Sequence, residues 1–106
     1  MNVTYATALV LEAIARGHHY GFDVMDATGL PSGTVYPVLR RLEQERLVRS
    51  HWERQEQAQR EKRPPRRYYE IQPAGQAWLE GARDRFRRLG AALTPARRLK
   101  PAGAGG

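Results

Sequence analysis

Apolar residues recur at helical spacing near the start of the chain. Over residues 3–16 they share one face, which consists of Val3, Ala6, Val10, Ala13, Ile14 and Gly17, with Leu9 and Leu11 beside it. This spacing predicts a helix, and the width of the apolar arc indicates burial from more than one direction. A short second helix is predicted over residues 20–28 and is closed by Gly29.

A third helix is predicted to begin close to Ser32–Thr34, where Ser32 or Thr34 can accept a hydrogen bond from the first free amides. Its apolar face carries Val35, Leu39 and Leu42 at i, i+4 and i+7, with Val38 beside them. The opposite face carries Gly33, Pro37, Arg40 and Gln44, with Thr34, Tyr36 and Arg41 at its edges. Because proline is tolerated only near a helix start, Pro37 supports this boundary.

In the second half of the chain, apolar and polar residues alternate before helical spacing returns. Residues 47–53 and 66–72 read as two paired strands. The polar segment between them ends in two prolines and predicts a two-stranded ribbon with a long mobile tip. Pro73 then opens a helix whose continuous apolar stripe consists of Gly75, Trp78, Leu79, Ala82, Phe86, Leu89 and Leu93. Pro95 is expected to end it, and the Ala-, Gly- and Pro-rich tail 95–106 is expected to be disordered.

Charge separates the two parts of the chain. The 106 residues allow one domain, and 18 basic against 11 acidic residues give a net charge of +7. Residues 32–106 hold 17 basic and 8 acidic residues, a balance of +9. A surplus of this size in so small a domain indicates a polyanionic partner, usually nucleic acid, for the second part.

Other chemistries have little support. The chain has no cysteine, which excludes disulfides and thiolate metal sites. His18, His19 and His51 lack metal-ligand spacing, and no serine stands in a recognisable catalytic pattern. We therefore expect neither an enzyme nor a bound metal or cofactor. No apolar run is long enough to span a bilayer and the N-terminus is a poor signal peptide, so we expect no membrane partner and a cytoplasmic location.

The order of elements predicts a mainly α fold (α+β) of the winged helix-turn-helix type: three helices, a two-stranded wing and a C-terminal helix. A helix about 10–12 Å across fits the major groove, which is about 12 Å wide. Domain boundaries are expected at 1–72 for the winged helix-turn-helix, 73–94 for the last helix and 95–106 for the tail.

Three motifs within residues 5–93 resemble the PadR family of bacterial transcriptional regulators. They are Gly21-Phe22, then Gly33, Thr34, Val35, Tyr36, Pro37, Leu39 and Leu42, and then Arg66, Arg67, Tyr68, Tyr69 and Gly75. The resemblance implies a dimeric DNA-binding protein, usually a repressor, whose last helix supplies most of the dimer contact. Phe22 stands where the family often has Tyr, and Gln72 where it often has Thr. Arg46 stands where Gly commonly closes the recognition helix, and a left-handed Arg46 would cost roughly 1 kcal/mol.

The predicted partners are double-stranded DNA, read at an inverted repeat, and a second copy of the chain. On the recognition helix the expected DNA contacts are Ser32, Gly33, Thr34, Tyr36, Pro37, Arg40, Arg41 and Gln44. On the wing they are Arg60, Lys62, Arg63, Arg66 and Arg67. The expected dimer interface consists of Val3, Val10, Trp78, Leu79, Ala82, Phe86, Leu89 and Leu93.

Alternatives remain open for several of these residues. Arg40 and Arg41 could pair with Glu43 or Glu45 on a solvated face, and Tyr36 could pack under the wing. Trp78 and Phe86 could line a site for a small hydrophobic effector at the dimer seam, or could only pack there. The alternative function is a winged-helix module that binds another protein and no longer reads DNA.

Overall fold

Five helices and one two-stranded antiparallel sheet follow one another in the computed structural model, which describes residues 4–99, with side chains through residue 89. The helices are α1 (Tyr5–Ala15), α2 (Gly21–Thr28), α3 (Ser32–Gln44), α4 (Gln55–Arg60) and α5 (Pro73–Leu99). The strands are β1 (Val48–Trp52) and β2 (Arg67–Ile71). The winged-helix order of elements predicted from the sequence is confirmed, with α4 as an addition.

Helix α1 lies at the centre of the fold. Thr4 caps it, because the Thr4 hydroxyl accepts a hydrogen bond from the amide of Thr7 at 3.1 Å. The helix packs against α2, α3, β2 and α5, which explains why its apolar arc is so wide. Val3 lies outside the described residues.

The core forms where α1, α2, α3, the sheet and α5 meet. Its buried members are Val10, Leu11, Ala13, Ile14, Val24, Val35, Leu39, Leu42, Leu47, Val48, Tyr69 and Leu79. Three residues expected at a dimer interface need correction here: Val10, Leu79 and Ala82 are each at most 1% exposed within a single protomer. Residues that face the protomer's own core cannot also face a partner. The apolar stripe in the sequence does not distinguish positions that face the core from positions that face a partner.

The N-cap of α3 differs from the sequence prediction. Its N-cap is Pro31, with extended backbone angles and no side-chain hydrogen bond, so the predicted capping by Ser32 or Thr34 is wrong. The carbonyl of Pro31 accepts from the amides of Thr34 at 2.9 Å and Val35 at 3.0 Å, and the helix begins at Ser32, within the predicted range. Pro37 lies inside the helix and leaves only the exposed Gly33 carbonyl without a helical donor.

The ribbon after α3 pairs Val48 with Ile71 and Trp52 with Arg67 at its two ends. Its tip, expected to be long and mobile, contains a short helix, since residues 55–60 form α4, which buries Ala58. Lys62 follows α4 with a positive φ of 57°, and the amide of Arg63 donates to the carbonyl of Ala58 at 3.2 Å. A six-residue polar helix with one apolar position is too short to give a periodic signal.

Helix α5 begins directly after the sheet and packs closely against it. A Cβ at Gly75 would overlap the backbone carbonyl of Leu47, so the first turn of α5 requires glycine there. The helix continues to Leu99, so the expected end before Pro95 is wrong. The expected disorder of the tail stays a prediction. Pro95 lacks the amide hydrogen that would donate to the carbonyl of Ala91, so one hydrogen bond is missing. The helix continues beyond this residue. Residues 100–106 lie outside the described part. None of the described helices is long and apolar enough to cross a membrane.

Candidate nucleic-acid interface

The outer face of α3 presents the predicted recognition residues together. Val35, Leu39 and Leu42 are fully buried on its inner side. The outer side exposes Ser32, Gly33, Tyr36, Pro37, Arg40, Arg41 and Gln44, while Thr34 is half-buried. The helix is therefore fixed by its apolar side and leaves a polar, cationic surface on the outside.

Arg40 and Arg41 carry charge that the rest of the described chain does not neutralise. Neither guanidinium has an ion-pair partner within residues 4–89. Glu43, one of the two carboxylates that could have paired with them, instead accepts hydrogen bonds from the hydroxyl of Ser50 and from Nη2 of Arg67, the latter at 3.4 Å. Two guanidinium groups on an exposed helix face suit phosphate and guanine recognition.

Tyr36 joins α3 to the start of α2. A Cβ at Gly21 would overlap the hydroxyl and ring of Tyr36, so the ring lies directly against the first turn of α2. The side chain remains 39% exposed. Two of the motifs found in the sequence therefore meet here, because the absence of a side chain at Gly21 makes room for the ring of Tyr36.

The cations of the wing divide into an outer and an inner group. Arg60 and Lys62 are exposed at the tip. Arg63 instead turns inward, with Nη2 at 2.9 Å from Oε2 of Glu53 and only 22% of its side chain exposed. The expected DNA contact by Arg63 stays a prediction, and its guanidinium is already paired with Glu53 within the wing.

Arg66 and Arg67 lie at the base of the wing against aromatic rings. The guanidinium of Arg66 is 4.0 Å from the ring centroid of Tyr20, and that of Arg67 is 5.2 Å from the ring centroid of Trp52. Cation–π contacts of this kind hold a guanidinium in place without neutralising its charge. Sequence reasoning missed Tyr20 and Trp52, because neither the spacing nor the charge marks them.

Glu53 organises the wing. Its carboxylate accepts hydrogen bonds from Arg63, from the amide of Arg66 at 3.2 Å and from the hydroxyl of Tyr68 at 3.2 Å. The Arg63 guanidinium is the main cause that lowers the pKa of Glu53 from 4.5 to about 2, with the Arg66 amide and Tyr68 adding to it. A carboxylate with this set of donors stays ionised near neutral pH and ties β1 to the tip and to β2.

The segment between α1 and α2 extends the sheet. The amide of Tyr69 donates to the carbonyl of His19 at 2.7 Å, and Tyr20 forms an isolated antiparallel bridge to Tyr68. Nδ1 of His19 also lies 2.9 Å from the carbonyl of Tyr69. His19 therefore takes part in fixing α1 to the sheet, and within residues 4–89 no group of three metal-ligating side chains comes together.

An ion-pair cluster fixes α5 to α1. Glu12 accepts from Nε and Nη2 of Arg83 at 2.8 and 2.7 Å and from Nε of Arg16 at 2.9 Å. The hydrogen bond from Arg83 is the largest cause that lowers the pKa of Glu12 to about 2, and Arg16 adds to it. Glu12 and Arg83 are 71 residues apart, so no local pattern could have paired them.

Beside this cluster an apolar face remains open. The ring of Phe86 meets the ring of Tyr5 edge-on at 5.6 Å, and together with Leu9 they line a cavity of about 390 Å³. Tyr5 is 65% exposed and Leu89 55% exposed, while Trp78 is half-buried. The side chain of Leu93 lies outside the described residues. The accessible part of the expected dimer interface is therefore Trp78, Phe86 and Leu89, joined by Tyr5, which sequence analysis did not include.

Three helices, of which α3 turns a cationic face outward, and a two-stranded wing define a winged helix-turn-helix protein of the DNA-binding class. Residues 10–81 match the family model described as "Transcriptional regulator PadR-like family". The chain belongs to this family, whose members are DNA-binding transcription regulators rather than enzymes. No curated protein matches the chain.

Solved structures share the fold at low sequence identity. A PadR family regulator from Clostridium difficile R20291 is 21% identical, with a TM-score of 0.75 over 87% of this chain and 97% of its own. A PadR-like regulator from Bacillus cereus is 21% identical, with a TM-score of 0.69 over 85% and 88%. BpsR of Bordetella bronchiseptica, whose DNA binding is regulated by 6-hydroxynicotinic acid, is 21% identical, with a TM-score of 0.72 over 95% and 75%.

Proposed function

We propose that this chain is a homodimeric repressor that binds an inverted-repeat operator through α3 and the wing. The observation that carries the proposal is the outer face of α3, where Arg40 and Arg41 are exposed and have no ion-pair partner in the described part of the chain. A folded protein gains little from two adjacent, unpaired arginines on one helix, whereas a major groove offers acceptors to both.

The wing supplies the sequence-independent part of binding. Arg60 and Lys62 at the tip and Arg66 and Arg67 at the base lie on the part of the chain that carries the positive charge. With α3 in the major groove, these cations would meet the flanking phosphates. Phosphate contacts release counterions, so affinity should fall steeply as salt rises.

A second copy of the chain completes the DNA-binding unit. The open face at Tyr5, Phe86 and Leu89 would be covered by the same face of a partner, as two-fold dimers require. Two copies of α3 would then lie at a fixed separation and favour two half-sites of opposite orientation.

A small hydrophobic effector at this seam, between Trp78 and Phe86, is the remaining part of the proposal. Both rings are half-buried in the protomer and sit on the face that a partner would cover. The regulation of BpsR by 6-hydroxynicotinic acid offers a precedent on a similar fold, for a different protein.

The test is a mobility-shift titration with duplex DNA from the region upstream of the chain's own gene. Arg40→Ala and Arg41→Ala should fold normally and each lose on the order of 1–3 kcal/mol of operator binding, with relaxed specificity at one base pair. Arg60→Gln with Lys62→Gln should weaken binding to every duplex and flatten the salt dependence. The matched control is Arg49→Ala, an exposed arginine on β1 that pairs with Glu70 at 3.8 Å and should leave both measurements unchanged.

The alternative, a protein-interaction module, gives a different result. It predicts weak binding to all duplexes and no difference between Arg40→Ala, Arg41→Ala and Arg49→Ala. Equal affinity of these variants for the selected duplex would overturn the proposed reading role of α3.

A further inference from the structure

Glu43 lies on α3, but its carboxylate is held by the wing. The hydroxyl of Ser50 on β1 donates a hydrogen bond to Oε2 of Glu43, and Nη2 of Arg67 on β2 lies 3.4 Å from the same oxygen. One carboxylate oxygen therefore joins α3 to both strands of the wing. Within residues 4–89, no other side chain of α3 hydrogen-bonds to the sheet.

The place of Glu43 on the helix connects it with the expected DNA contacts. Glu43 follows Tyr36 by seven residues and Arg40 by three, so the three side chains lie in one row along α3. Tyr36 and Arg40 are expected to meet the major groove, and Arg67 is an expected contact of the wing. Glu43 therefore lies where the two DNA-binding elements meet.

A carboxylate at this place opposes DNA binding by its charge. Glu43 and Arg67 are 36% and 37% exposed, so the negative charge of Glu43 acts on a surface that is expected to face phosphates. It repels phosphates of any sequence and partly neutralises Arg67. Such a group can still increase the preference for one sequence if it fixes the angle between α3 and the wing.

The contacts of α3 with the core do not provide the same control of that angle. Val35, Leu39 and Leu42 are fully buried and hold the inner side of the helix in the core through apolar contacts, which are not directional. Hydrogen bonds depend on both distance and angle. The two donors to Glu43 are themselves held, because Ser50 is half-buried on β1 and the guanidinium of Arg67 lies 5.2 Å from the ring centroid of Trp52.

We propose that Glu43 is a positioning residue for sequence-specific binding. By accepting from Ser50 and Arg67, it fixes the angle between α3 and the wing, and it touches neither base nor phosphate itself. It lowers the affinity for all DNA and raises the preference for the operator over other sequences. This inference rests on the proposed function, because it concerns the way in which α3 and the wing bind one operator together.

The first experiment compares the operator duplex with a scrambled duplex of the same length and base composition at constant salt. Glu43→Ala removes both hydrogen bonds and one negative charge. We expect it to bind the scrambled duplex more tightly, while the preference for the operator falls by about tenfold, as the loss of one charge-assisted hydrogen bond predicts. Glu43→Gln loses the same charge but keeps a carbonyl oxygen as acceptor, so it should recover part of the preference.

Two further variants separate the hydrogen bonds from the charge. Ser50→Ala leaves the net charge unchanged and should lower the preference for the operator, with no further effect in a Glu43→Ala background, where the acceptor is gone. Glu70→Gln is the matched control, since it removes a carboxylate of β2 that pairs with Arg49 and His51 and does not contact α3. It should leave the preference unchanged. Thermal unfolding establishes that each variant is folded.

The second experiment measures the angle without DNA. The chain has no cysteine, so cysteines introduced at the exposed positions Gln44 on α3 and Arg60 on α4 can carry a pair of spin labels. Labelled chain is diluted with excess unlabelled chain, so that distances between protomers do not contribute. The distribution of label distances should be broader in Glu43→Ala than in the unmodified chain or in Glu70→Gln.

The outcomes distinguish this inference from the proposed function. An unchanged preference for the operator in Glu43→Ala overturns the positioning role, and so does an equal loss of preference in Glu70→Gln. Equally narrow label distances with and without the Glu43 carboxylate also overturn it. A chain that prefers no duplex contradicts the proposed function, and the label distances then decide whether Glu43 fixes α3 to the wing.

Discussion

Arg46 adopts a backbone conformation that favours glycine. Its φ is 60°, directly after the last turn of α3. Its amide donates to the carbonyl of Glu43 at 3.0 Å, and the amide of Leu47 donates to the carbonyl of Leu42 at 2.9 Å. These two hydrogen bonds end the helix in a motif that usually has glycine at the position of Arg46. The strain expected from the sequence is therefore present.

Replacing Arg46 by glycine should stabilise the protein. The matched control is Arg46→Ala, which removes the same charged side chain but keeps the Cβ that causes the strain. Arg46→Gly should be more stable than Arg46→Ala by about 1 kcal/mol, measured by urea unfolding. Equal stabilities of the two variants would mean that the helix end relaxes at no cost.

Gly21 acts on the DNA interface through Tyr36. A Cβ at Gly21 would overlap the end of the Tyr36 side chain, which is at the surface and can swing away. We expect Gly21→Ala to fold, to displace Tyr36 and to weaken operator binding. In a Tyr36→Ala background the same substitution should have no further effect on binding, because the clashing ring is gone. Additive losses of affinity would contradict this coupling.

At the scale of elements, the periodicity of apolar residues predicts most of the helices and strands. It predicted both ends of α1, α2 and the two strands, and the start of α3, to within two residues, because each has an apolar face of sufficient length. It missed α4, whose single buried residue, Ala58, gives no period. Periodicity could not predict the ion pair of Arg63 with Glu53, because this pair forms only when the tip of the wing folds back.

The wing should loosen in acid through Glu53. Because the folded pKa of Glu53 is about 2 and its ordinary value is 4.5, its contribution to stability is fully present above pH 4.5. That contribution is lost as the pH falls from about 4.5 toward 2. Glu53→Gln should have the same effect at neutral pH, because it removes the negative charge. We expect faster hydrogen exchange at the amide of Arg66, which donates a hydrogen bond to the Glu53 carboxylate.

Two comparisons make the wing experiment specific. Glu56→Gln removes an exposed carboxylate from α4 in the same tip and should leave exchange at Arg66 unchanged. Core amides in α1 should exchange equally slowly in both variants, since Glu53 does not touch α1. Uniformly faster exchange throughout Glu53→Gln would instead mean that the wing and the core unfold together.

At the scale of the whole molecule, α5 has a side packed on α1 and a side that is open. One side is fixed to α1 by Leu79, Ala82 and the pairing of Arg83 with Glu12. Elsewhere on the helix Phe86 is half-buried next to Tyr5, and Leu89 is exposed beside Arg85 and Arg88. Sequence analysis placed all of these apolar residues on one stripe, and only the packing of α1 separated core positions from candidate interface positions.

The open side of α5 should hold the dimer together. Phe86→Asp with Leu89→Asp places two charges where each apolar side chain would otherwise gain roughly 1.5–3 kcal/mol on full burial, so sedimentation should give a monomer. Gln76→Asp with Ala77→Asp adds the same charge at exposed positions outside the groove at Tyr5 and Phe86, and should remain a dimer. A monomer offers only one α3, so operator affinity should collapse in the first variant while weak non-specific binding persists. A folded Phe86→Asp, Leu89→Asp protein that stays dimeric would exclude this face as the interface.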